Sequence, residues 1–154
     1  FKFCLVRNPY TRLLSAYLDK IAQQKPQIHS IKIGLGRAED DPRAVSFSEF
    51  IDTVIQQAVP EMDHHWRRQY EHTYQATIDY DFIGRFEQFE QDFLHILDRL
   101  QIDKRQYYQP EQRHATNASA LLQEYYTEAL AEKVYQKYQI DFEYFGYPRA
   151  LPKT

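Results

Sequence analysis

At the start of the chain, the spacing of hydrophobic residues changes from a continuous run to a helical pattern. Residues 1–6 form a short apolar run, which is typical of a strand buried on both faces of a parallel sheet. From Thr11 to Gln24 the apolar residues recur three and four positions apart, which predicts an amphipathic helix with Thr11 as its N-cap. Pro9 fixes the turn between these two elements. The pattern therefore predicts a strand, a tight turn and a helix, in that order.

The rest of the chain alternates periodic segments with segments that have no sustained period. The periodic segments are a helix that begins with a capping box from Ser46 to Glu49 and closes at Pro60, a strand at 80–84, a helix at 85–100 and a last long helix at 119–138. The segments without a period are loops at 25–45 and 101–116, and the aromatic tail at 141–147 is predicted to dock on the body. Strands followed by helices indicate a helix-rich α/β fold.

Length and charge set limits on this fold and on its partners. A chain of 154 residues with 43% hydrophobic content has room for one domain with a real core. With 19 basic and 22 acidic residues, the net charge of −3 provides no overall attraction to nucleic acid or anionic membranes. Any anion-binding site must therefore be local. No apolar run reaches the length of a membrane span.

The first strand, turn and helix form a candidate for such a site. A strand that leads through a short turn into a helix directs backbone N–H groups and the positive end of the helix dipole at one point. Arg7 adds a planar guanidinium at the end of the strand, Ser15 adds a hydroxyl eight residues later, and Arg12 adds a second charge. The alternative is that Arg7 pairs with a carboxylate and Ser15 caps or fills.

The segment "VRNPYTRLLSAY" resembles the 3′-phosphate-binding motif of the sulfotransferases that use 3′-phosphoadenosine 5′-phosphosulfate (PAPS). In that family an arginine after the strand and a serine eight positions later hold the 3′-phosphate, and Arg7 and Ser15 fall on these positions. The segments "SFSEFI", "HHWRRQ", "YDFIGRFEQFEQDF", "NAS" and "DFEYFGY" resemble, in this order, segments of the carbohydrate branch (Golgi-type, chondroitin and HNK-1-like, sulfotransferase family 2). The resemblance covers nearly the whole chain.

This resemblance implies a fold, a donor and a reaction. The fold would be the sulfotransferase variant of the P-loop-containing nucleoside triphosphate hydrolase fold, and the donor would be PAPS. The reaction would move a sulfuryl group from PAPS to a hydroxyl of a carbohydrate or glycan acceptor, with no nucleic acid partner. Arg7 and Ser15 would hold the 3′-phosphate, and Arg12 would assist them.

One element of the family pattern has no counterpart here. Family members bind the 5′-phosphosulfate with a P-loop-like segment upstream of the first strand, whereas "GLGRAEDD" follows no strand and lacks the Gly-Lys-Ser/Thr ending. The chain also begins in mid-strand, without an initiator methionine. We therefore expect residues 1–154 to be the C-terminal portion of a single sulfotransferase domain. Its 3′-phosphate-binding unit would lie at 1–24, and its N-terminal part would be missing.

The segment "DHHWRRQ" contains the candidate residues for the acceptor side. Sulfuryl transfer is an in-line displacement that needs positioning, charge stabilisation and a base for the acceptor hydroxyl, and histidine suits that base. His65 and His64 are the candidate catalytic residues, Arg67 and Arg68 could attract an acidic sugar, and Trp66 could stack on a pyranose ring. The alternatives are that Trp66 is a core anchor, that the histidines are solvated, and that the base lies upstream.

A metal site in this segment is not predicted. Asp63, His64, His65 and His72 lie close together in the sequence, but neighbouring residues point apart in any regular element. No His-Glu-x-x-His motif or cysteine pair completes a ligand set. The predicted donor is therefore PAPS, without a metal.

Two polar residues follow the second predicted strand. Arg85 and Glu87 lie at its carboxyl end, where open α/β sheets place their ligands. They could contact the nucleotide or the acceptor, or they could cap the helix and pair with nearby groups.

Two other functions and two compartments remain open from the sequence. A kinase-like nucleotide-binding protein would need a complete P-loop and a magnesium-binding acid, neither of which is visible. A non-catalytic helical interaction module would use the tyrosines as a binding face. Animal family members work in the Golgi lumen and carry several cysteines, whereas Cys4 is the only cysteine here. This favours a bacterial cytoplasmic enzyme, with the Golgi lumen as the alternative.

Overall fold

The structure of the chain, a computed structural model, describes residues 1–103 and 117–152. Within them, two short parallel strands are combined with helices, which is the helix-rich α/β class that the pattern predicted. The strands and α-helices are β1 (Phe3–Val6), α1 (Pro9–Ala16), α2 (Ile28–Gly34), α3 (Phe47–Gln56), α4 (Gln69–His72), β2 (Phe82–Arg85), α5 (Phe89–Arg99), α6 (Ala118–Tyr125) and α7 (Glu128–Tyr144). A π-helical turn (Tyr17–Ile21) extends α1, and two 3-10 turns lie at Val59–Glu61 and Phe86–Gln88.

The two strands run side by side and end at the same level. Phe3 lies opposite Phe82, and Val6 lies opposite Arg85. Because the pairing is parallel, both carboxyl ends meet at one edge of the sheet, which is the edge where open α/β sheets bind ligands. Arg7 is the first residue beyond β1 at that edge.

The first turn of α1 differs from the prediction in its cap. The Asn8 side chain accepts the Tyr10 N–H at 2.9 Å, and Pro9 occupies the first helical position. The prediction that Thr11 is the N-cap is therefore wrong. Thr11 lies inside the helix, and its hydroxyl donates to the Asn8 carbonyl at 3.0 Å.

A core of aliphatic and aromatic side chains holds the helices together. Phe50 on α3 packs edge-on against Trp66, with their ring centroids 5.4 Å apart, and Trp66 is fully buried. The tail docks on this core, as predicted, through the buried Phe142 and Phe145. Tyr138 marks a kink within α7, and its hydroxyl donates to the Trp66 carbonyl.

Two predicted segments differ in detail, and a third is mostly outside the described residues. The predicted loop at 25–45 contains α2. The predicted last helix is two helices, because Thr127 starts a new one by accepting the Leu130 N–H at 3.2 Å. Most of the second predicted loop, at 101–116, lies outside the described residues. The capping box between Ser46 and Glu49 is confirmed.

A search of the described residues for helices that could cross a membrane finds none of sufficient length and apolarity.

Candidate functional site

A cleft of about 560 Å³ opens where the two strands end. Its lining comes from the first turn of α1, from the segment after β2, from the start of α6 and from the tail. The lining residues are Asn8, Thr11, Arg85, Glu87, Gln88, Ser119, Ala120, Tyr147, Pro148 and Pro152. The cleft therefore lies at the edge of the sheet where ligands of open α/β sheets bind.

Arg7 is a half-buried cation that does not itself line this cleft but contacts Thr11, which does. Its Nε donates to the Thr11 hydroxyl at 3.2 Å, and its guanidinium carbon lies 4.8 Å from the centroid of the Phe86 ring. Burial lowers the pKa of Arg7, although the nearby Glu87 carboxylate acts in the opposite direction. In the described part of the chain no carboxylate forms a salt bridge with Arg7. An anion in the cleft would compensate for the water that this cation has lost.

Ser15 and Thr11 lie on the same face of α1. They are four residues apart, so their side chains point in the same direction one turn apart. Ser15 is half-buried, and Thr11 both lines the cleft and contacts Arg7. Sequence reasoning did not select Thr11, although a hydroxyl four residues after Arg7 and four before Ser15 was a signal that could have identified it.

The main chain at Arg7 is held by Gln69. The Gln69 Oε1 accepts the Arg7 N–H at 2.8 Å, and its Nε2 donates to the Arg7 carbonyl at 2.7 Å. Gln69 itself is buried. Sequence reasoning missed this residue, because a glutamine in a polar segment carries no pattern that predicts a partner 62 residues away.

Glu87 and Arg85 line the cleft and fasten the tail to it. Glu87 accepts the Asn8 N–H at 2.7 Å and the Tyr147 hydroxyl at 3.0 Å. Arg85 donates to the Phe145 carbonyl at 2.7 Å, and its guanidinium lies over the Tyr147 ring at 4.9 Å. Neither side chain caps the helix that follows β2, which was their alternative role, because both reach distant segments of the chain. A contact of Arg85 or Glu87 with the nucleotide or the acceptor stays a prediction.

The tail reaches Glu87 because the chain turns sharply after α7. Gly146 has a φ of 65°, a left-handed conformation that glycine adopts without strain. The turn brings Tyr147 to the cleft wall. Burial raises the pKa of its phenol, and the neighbouring Glu87 carboxylate raises it further.

Arg12 connects α1 to the segment that contains the histidines. Its guanidinium donates to the Arg67 carbonyl at 2.6 Å and to the His64 carbonyl at 2.8 Å. These two contacts hold residues 64–67 against the first turns of α1. A role of Arg12 in holding the 3′-phosphate, in addition to these two contacts, stays a prediction.

Asp63 and His65 form a hydrogen-bonded pair in this segment. The Asp63 Oδ1 lies 2.6 Å from the His65 Nδ1 and also accepts the His65 main-chain N–H at 2.9 Å. Burial acts to raise the pKa of Asp63, but the hydrogen bonds from His65 lower it below its usual value overall. An ionised carboxylate at Nδ1 leaves the opposite ring nitrogen, Nε2, as the free acceptor for a proton.

His64 lies closer to His65 than its position in the sequence indicated. The two ring centroids are 3.9 Å apart, and metal-binding atoms of Asp63, His64 and His65 all lie within 4.8 Å of one another. The expectation that the two rings point apart is wrong, because these residues form a turn and not a regular element. That the reaction uses no metal stays a prediction.

The proposed sugar-contacting residues are placed differently from the prediction. Trp66 is 0% exposed and donates its Nε1–H to the Gln57 side chain at 2.9 Å, so it cannot stack on a pyranose. It is a core anchor. Arg67 donates to the Met62 carbonyl at 2.8 Å, and Arg68 pairs with Glu71. A contact of Arg67 or Arg68 with an acidic sugar stays a prediction.

Replacement of Trp66 by alanine is expected to act on stability. Removal of this side chain leaves a cavity beside Phe50, so the free energy of unfolding should fall by about 3–5 kcal/mol. Urea denaturation followed by circular dichroism measures this loss. Tyr74→Ala is the matched control, because Tyr74 is an aromatic residue that is 66% exposed and should cost little. Weaker binding of a sugar with unchanged unfolding would contradict the assignment of Trp66 to the core.

Comparisons with known proteins agree on one family. The model of the "Sulfotransferase family" matches residues 1–148. The chain is 27% identical to mouse carbohydrate sulfotransferase 12, with 96% of this chain and 40% of the relative aligned. It is 31% identical to zebrafish carbohydrate sulfotransferase 14, with 100% of this chain and 45% of the relative aligned. It is 29% identical to human carbohydrate sulfotransferase 9, with 95% of this chain and 37% of the relative aligned.

The chain spans less than half the length of these curated relatives. No solved structure matches it. The matches give no support to an interaction module or to a kinase-like protein.

The expected compartment is corrected by the same comparisons. The relatives named above are vertebrate carbohydrate sulfotransferases and not bacterial proteins, which contradicts the expected bacterial cytoplasm. The prediction of a bacterial cytoplasmic enzyme was wrong. It depended on Cys4 as the only cysteine, and a single thiol excludes an internal disulfide without identifying a compartment.

Proposed function

The chain belongs to the sulfotransferase family, in its carbohydrate sulfotransferase branch, and from this premise we propose that it transfers a sulfuryl group from PAPS to a hydroxyl of a carbohydrate acceptor. The family generally uses PAPS as its donor. In the reaction, the acceptor oxygen attacks the sulfur, the bond from sulfur to the bridging phosphate oxygen breaks, and adenosine 3′,5′-bisphosphate leaves. No metal is part of the proposal.

The 3′-phosphate of the donor would bind at the start of α1. The observation that carries this proposal is the half-buried Arg7 guanidinium, whose Nε donates at 3.2 Å to the hydroxyl of Thr11, a residue that lines the cleft. A guanidinium offers two parallel donors to a phosphate, and the N-terminus of α1 adds a favourable dipole. Ser15, on the same helix face as Thr11, is proposed as the second phosphate ligand.

The acceptor would bind beside the segment 63–69. This segment contacts α1 through the Arg12 guanidinium, and it contacts Arg7, just before α1, through the Gln69 amide. It therefore holds the Asp63–His65 pair close to the proposed phosphate site. We assign His65 as the base, because Asp63 fixes its Nδ1, whereas the His64 Nδ1 lies 3.6 Å from the same oxygen.

The fold and extent of the domain follow as proposals from the same premise. Two parallel strands, the first followed by a helix that begins at the ligand edge, are consistent with a P-loop-like sulfotransferase fold. Residues 1–154 are proposed as the C-terminal portion of a single domain, with the 3′-phosphate unit at 1–24. The 5′-phosphosulfate loop of the family has no counterpart in this sequence.

Calorimetric titration of the wild-type protein tests this function. Adenosine 3′,5′-bisphosphate should bind more tightly than adenosine 5′-monophosphate, because only the first ligand carries the 3′-phosphate. Adenosine 2′,5′-bisphosphate is the positional control, since it has the same charge in a different place. Equal binding of all three nucleotides to a folded protein would overturn the proposed donor.

A further inference from the structure

The main chain of Arg7 has a substitute for a neighbouring strand. Arg7 follows the last residue of β1, where the ladder with β2 has ended. The Gln69 side chain forms hydrogen bonds with both main-chain groups of Arg7. The Arg7 N–H donates to it at 2.8 Å, and the Arg7 carbonyl accepts from it at 2.7 Å. Gln69 is 4% exposed, so water does not compete for these two hydrogen bonds.

Gln69 is itself held from the far end of the chain. The Asp141 Oδ2 accepts the Gln69 N–H at 2.7 Å, and its Oδ1 accepts the Tyr70 N–H at 2.8 Å. Asp141 is 0% exposed, so this contact is shielded as well. The carboxylate thus fixes the first turn of α4, and this turn presents the glutamine to Arg7.

We propose that Gln69, supported by Asp141, is a positioning residue that sets the direction in which Arg7 presents its guanidinium to the 3′-phosphate. This inference rests on the proposed function of Arg7. The two amide hydrogen bonds fix the peptide groups on both sides of the Arg7 Cα, and these determine where its side chain points. In a long side chain, a small rotation at the Cα moves the terminal group by a large distance. Loss of the two Gln69 hydrogen bonds would therefore misplace the guanidinium relative to the phosphate.

A purely structural role for Gln69 makes a different prediction. If the glutamine only satisfied buried peptide groups, its loss would lower stability and leave the nucleotide preference of the folded protein unchanged. The informative quantity is therefore a ratio, the dissociation constant of adenosine 5′-monophosphate divided by that of adenosine 3′,5′-bisphosphate. Contributions from the nucleoside and the 5′-phosphate cancel in this ratio.

The test uses Gln69→Met in the full chain, because methionine keeps the length of the side chain and removes both hydrogen bonds. The ratio is expected to fall by about tenfold relative to wild type. In an Arg7→Ala background, the same substitution should leave the ratio unchanged, because the group it positions is absent. An unchanged ratio in Gln69→Met, or an equal fall in both backgrounds, would overturn the inference.

Gln75→Met is the matched control. Gln75 is also buried at 8% exposure, and its amide contacts the Cys4 sulfur at 3.5 Å and the Thr73 hydroxyl at 2.8 Å. The Gln75→Met variant should be less stable than wild type but should have the same ratio of dissociation constants. A fall equal to that of Gln69→Met would show that any buried glutamine near β1 has this effect, and would overturn the specific role of Gln69.

Two further measurements keep the outcomes separable. If Gln69→Met does not fold, Asp141→Asn loosens the same turn with the Gln69 side chain retained, and an unchanged ratio there would overturn the inference. The wild-type ratio and that of Arg7→Ala test the proposed function. A wild type without preference means that the phosphate site itself is wrong, whereas a preference that needs Arg7 but not Gln69 refutes only the positioning role.

Discussion

Arg7→Ala is expected to abolish the preference for adenosine 3′,5′-bisphosphate over adenosine 5′-monophosphate, so that the ratio of the monophosphate dissociation constant to the bisphosphate dissociation constant falls by about a hundredfold. Each hydrogen bond from a charged donor is worth about 1.5–3 kcal/mol, so the two that a guanidinium donates to one phosphate are worth about 3 kcal/mol at the lower end of this range, which corresponds to about a hundredfold. The cation is half-buried and forms no salt bridge in the described part of the chain, so the phosphate would have no protein carboxylate to displace from it. Isothermal titration calorimetry with both nucleotides measures the change.

Arg7→Lys separates the charge from the geometry of this contact. Lysine keeps the positive charge and loses the paired donors, so its preference should lie between those of wild type and Arg7→Ala. Arg43→Ala is the control for net charge, because Arg43 is an exposed arginine that pairs with Asp41. A full preference in Arg7→Ala would remove Arg7 from the phosphate site, and with it the proposed donor specificity.

Local patterns in the sequence were sufficient to predict the strand, turn and helix that carry the proposed phosphate site. The change of hydrophobic spacing near Pro9 predicts the strand, the turn and the helix, and the structure has all three. Within this unit Arg7 and Ser15 were selected as phosphate ligands by the resemblance to the sulfotransferase motif, since their spacing alone left a structural role open. Even here the cap was misplaced by three residues, because Asn8 competes with Thr11 for the same role and sequence spacing does not decide between them.

Contacts between distant segments could not be predicted in this way. Gln69 reaches Arg7 across 62 positions, and Asp141 reaches Gln69 across 72, so neither pairing leaves a periodic signal. The burial of Trp66 could not be predicted either, because its neighbours in the sequence are polar and resemble a surface segment. The burial of Trp66 depends on Phe50 and Gln57, which only the folded chain brings together.

The segment 63–69 therefore serves two neighbouring parts of the proposed site. At one end the Asp63–His65 pair forms the candidate base, and at the other the Gln69 amide fixes Arg7. Arg12 fastens the middle of the segment to α1 through two main-chain carbonyls. Because one rigid segment holds both ends, the donor and the acceptor group can be positioned relative to each other, which is what an in-line transfer requires.

His65→Ala is expected to lower kcat for sulfuryl transfer by about 100-fold to 10,000-fold, the usual contribution of a general base. The binding of adenosine 3′,5′-bisphosphate should stay unchanged, because the proposed phosphate ligands are Arg7, just before α1, and Ser15, within it. Transfer of ³⁵S from PAPS to a carbohydrate acceptor measures kcat, and calorimetry measures the binding. Asp63→Asn should show a smaller loss, since the imidazole remains but its Nδ1 loses the carboxylate that orients it.

The histidines of the chain separate this role from a general effect of removing an imidazole. His95→Ala is the control with full activity expected, because His95 lies on α5 against the Phe82 ring and away from the segment 63–69. The kcat of His64→Ala should lie between those of His65→Ala and His95→Ala. The His64 ring centroid lies 3.9 Å from that of His65, but the His64 Nδ1 lies 3.6 Å from the Asp63 Oδ1. If His65→Ala kept its kcat while His64→Ala lost it, the base would be His64 and the Asp63 hydrogen bond would be structural. If both variants kept their kcat, the base would lie outside this segment, and only the phosphate end of the proposed site would remain.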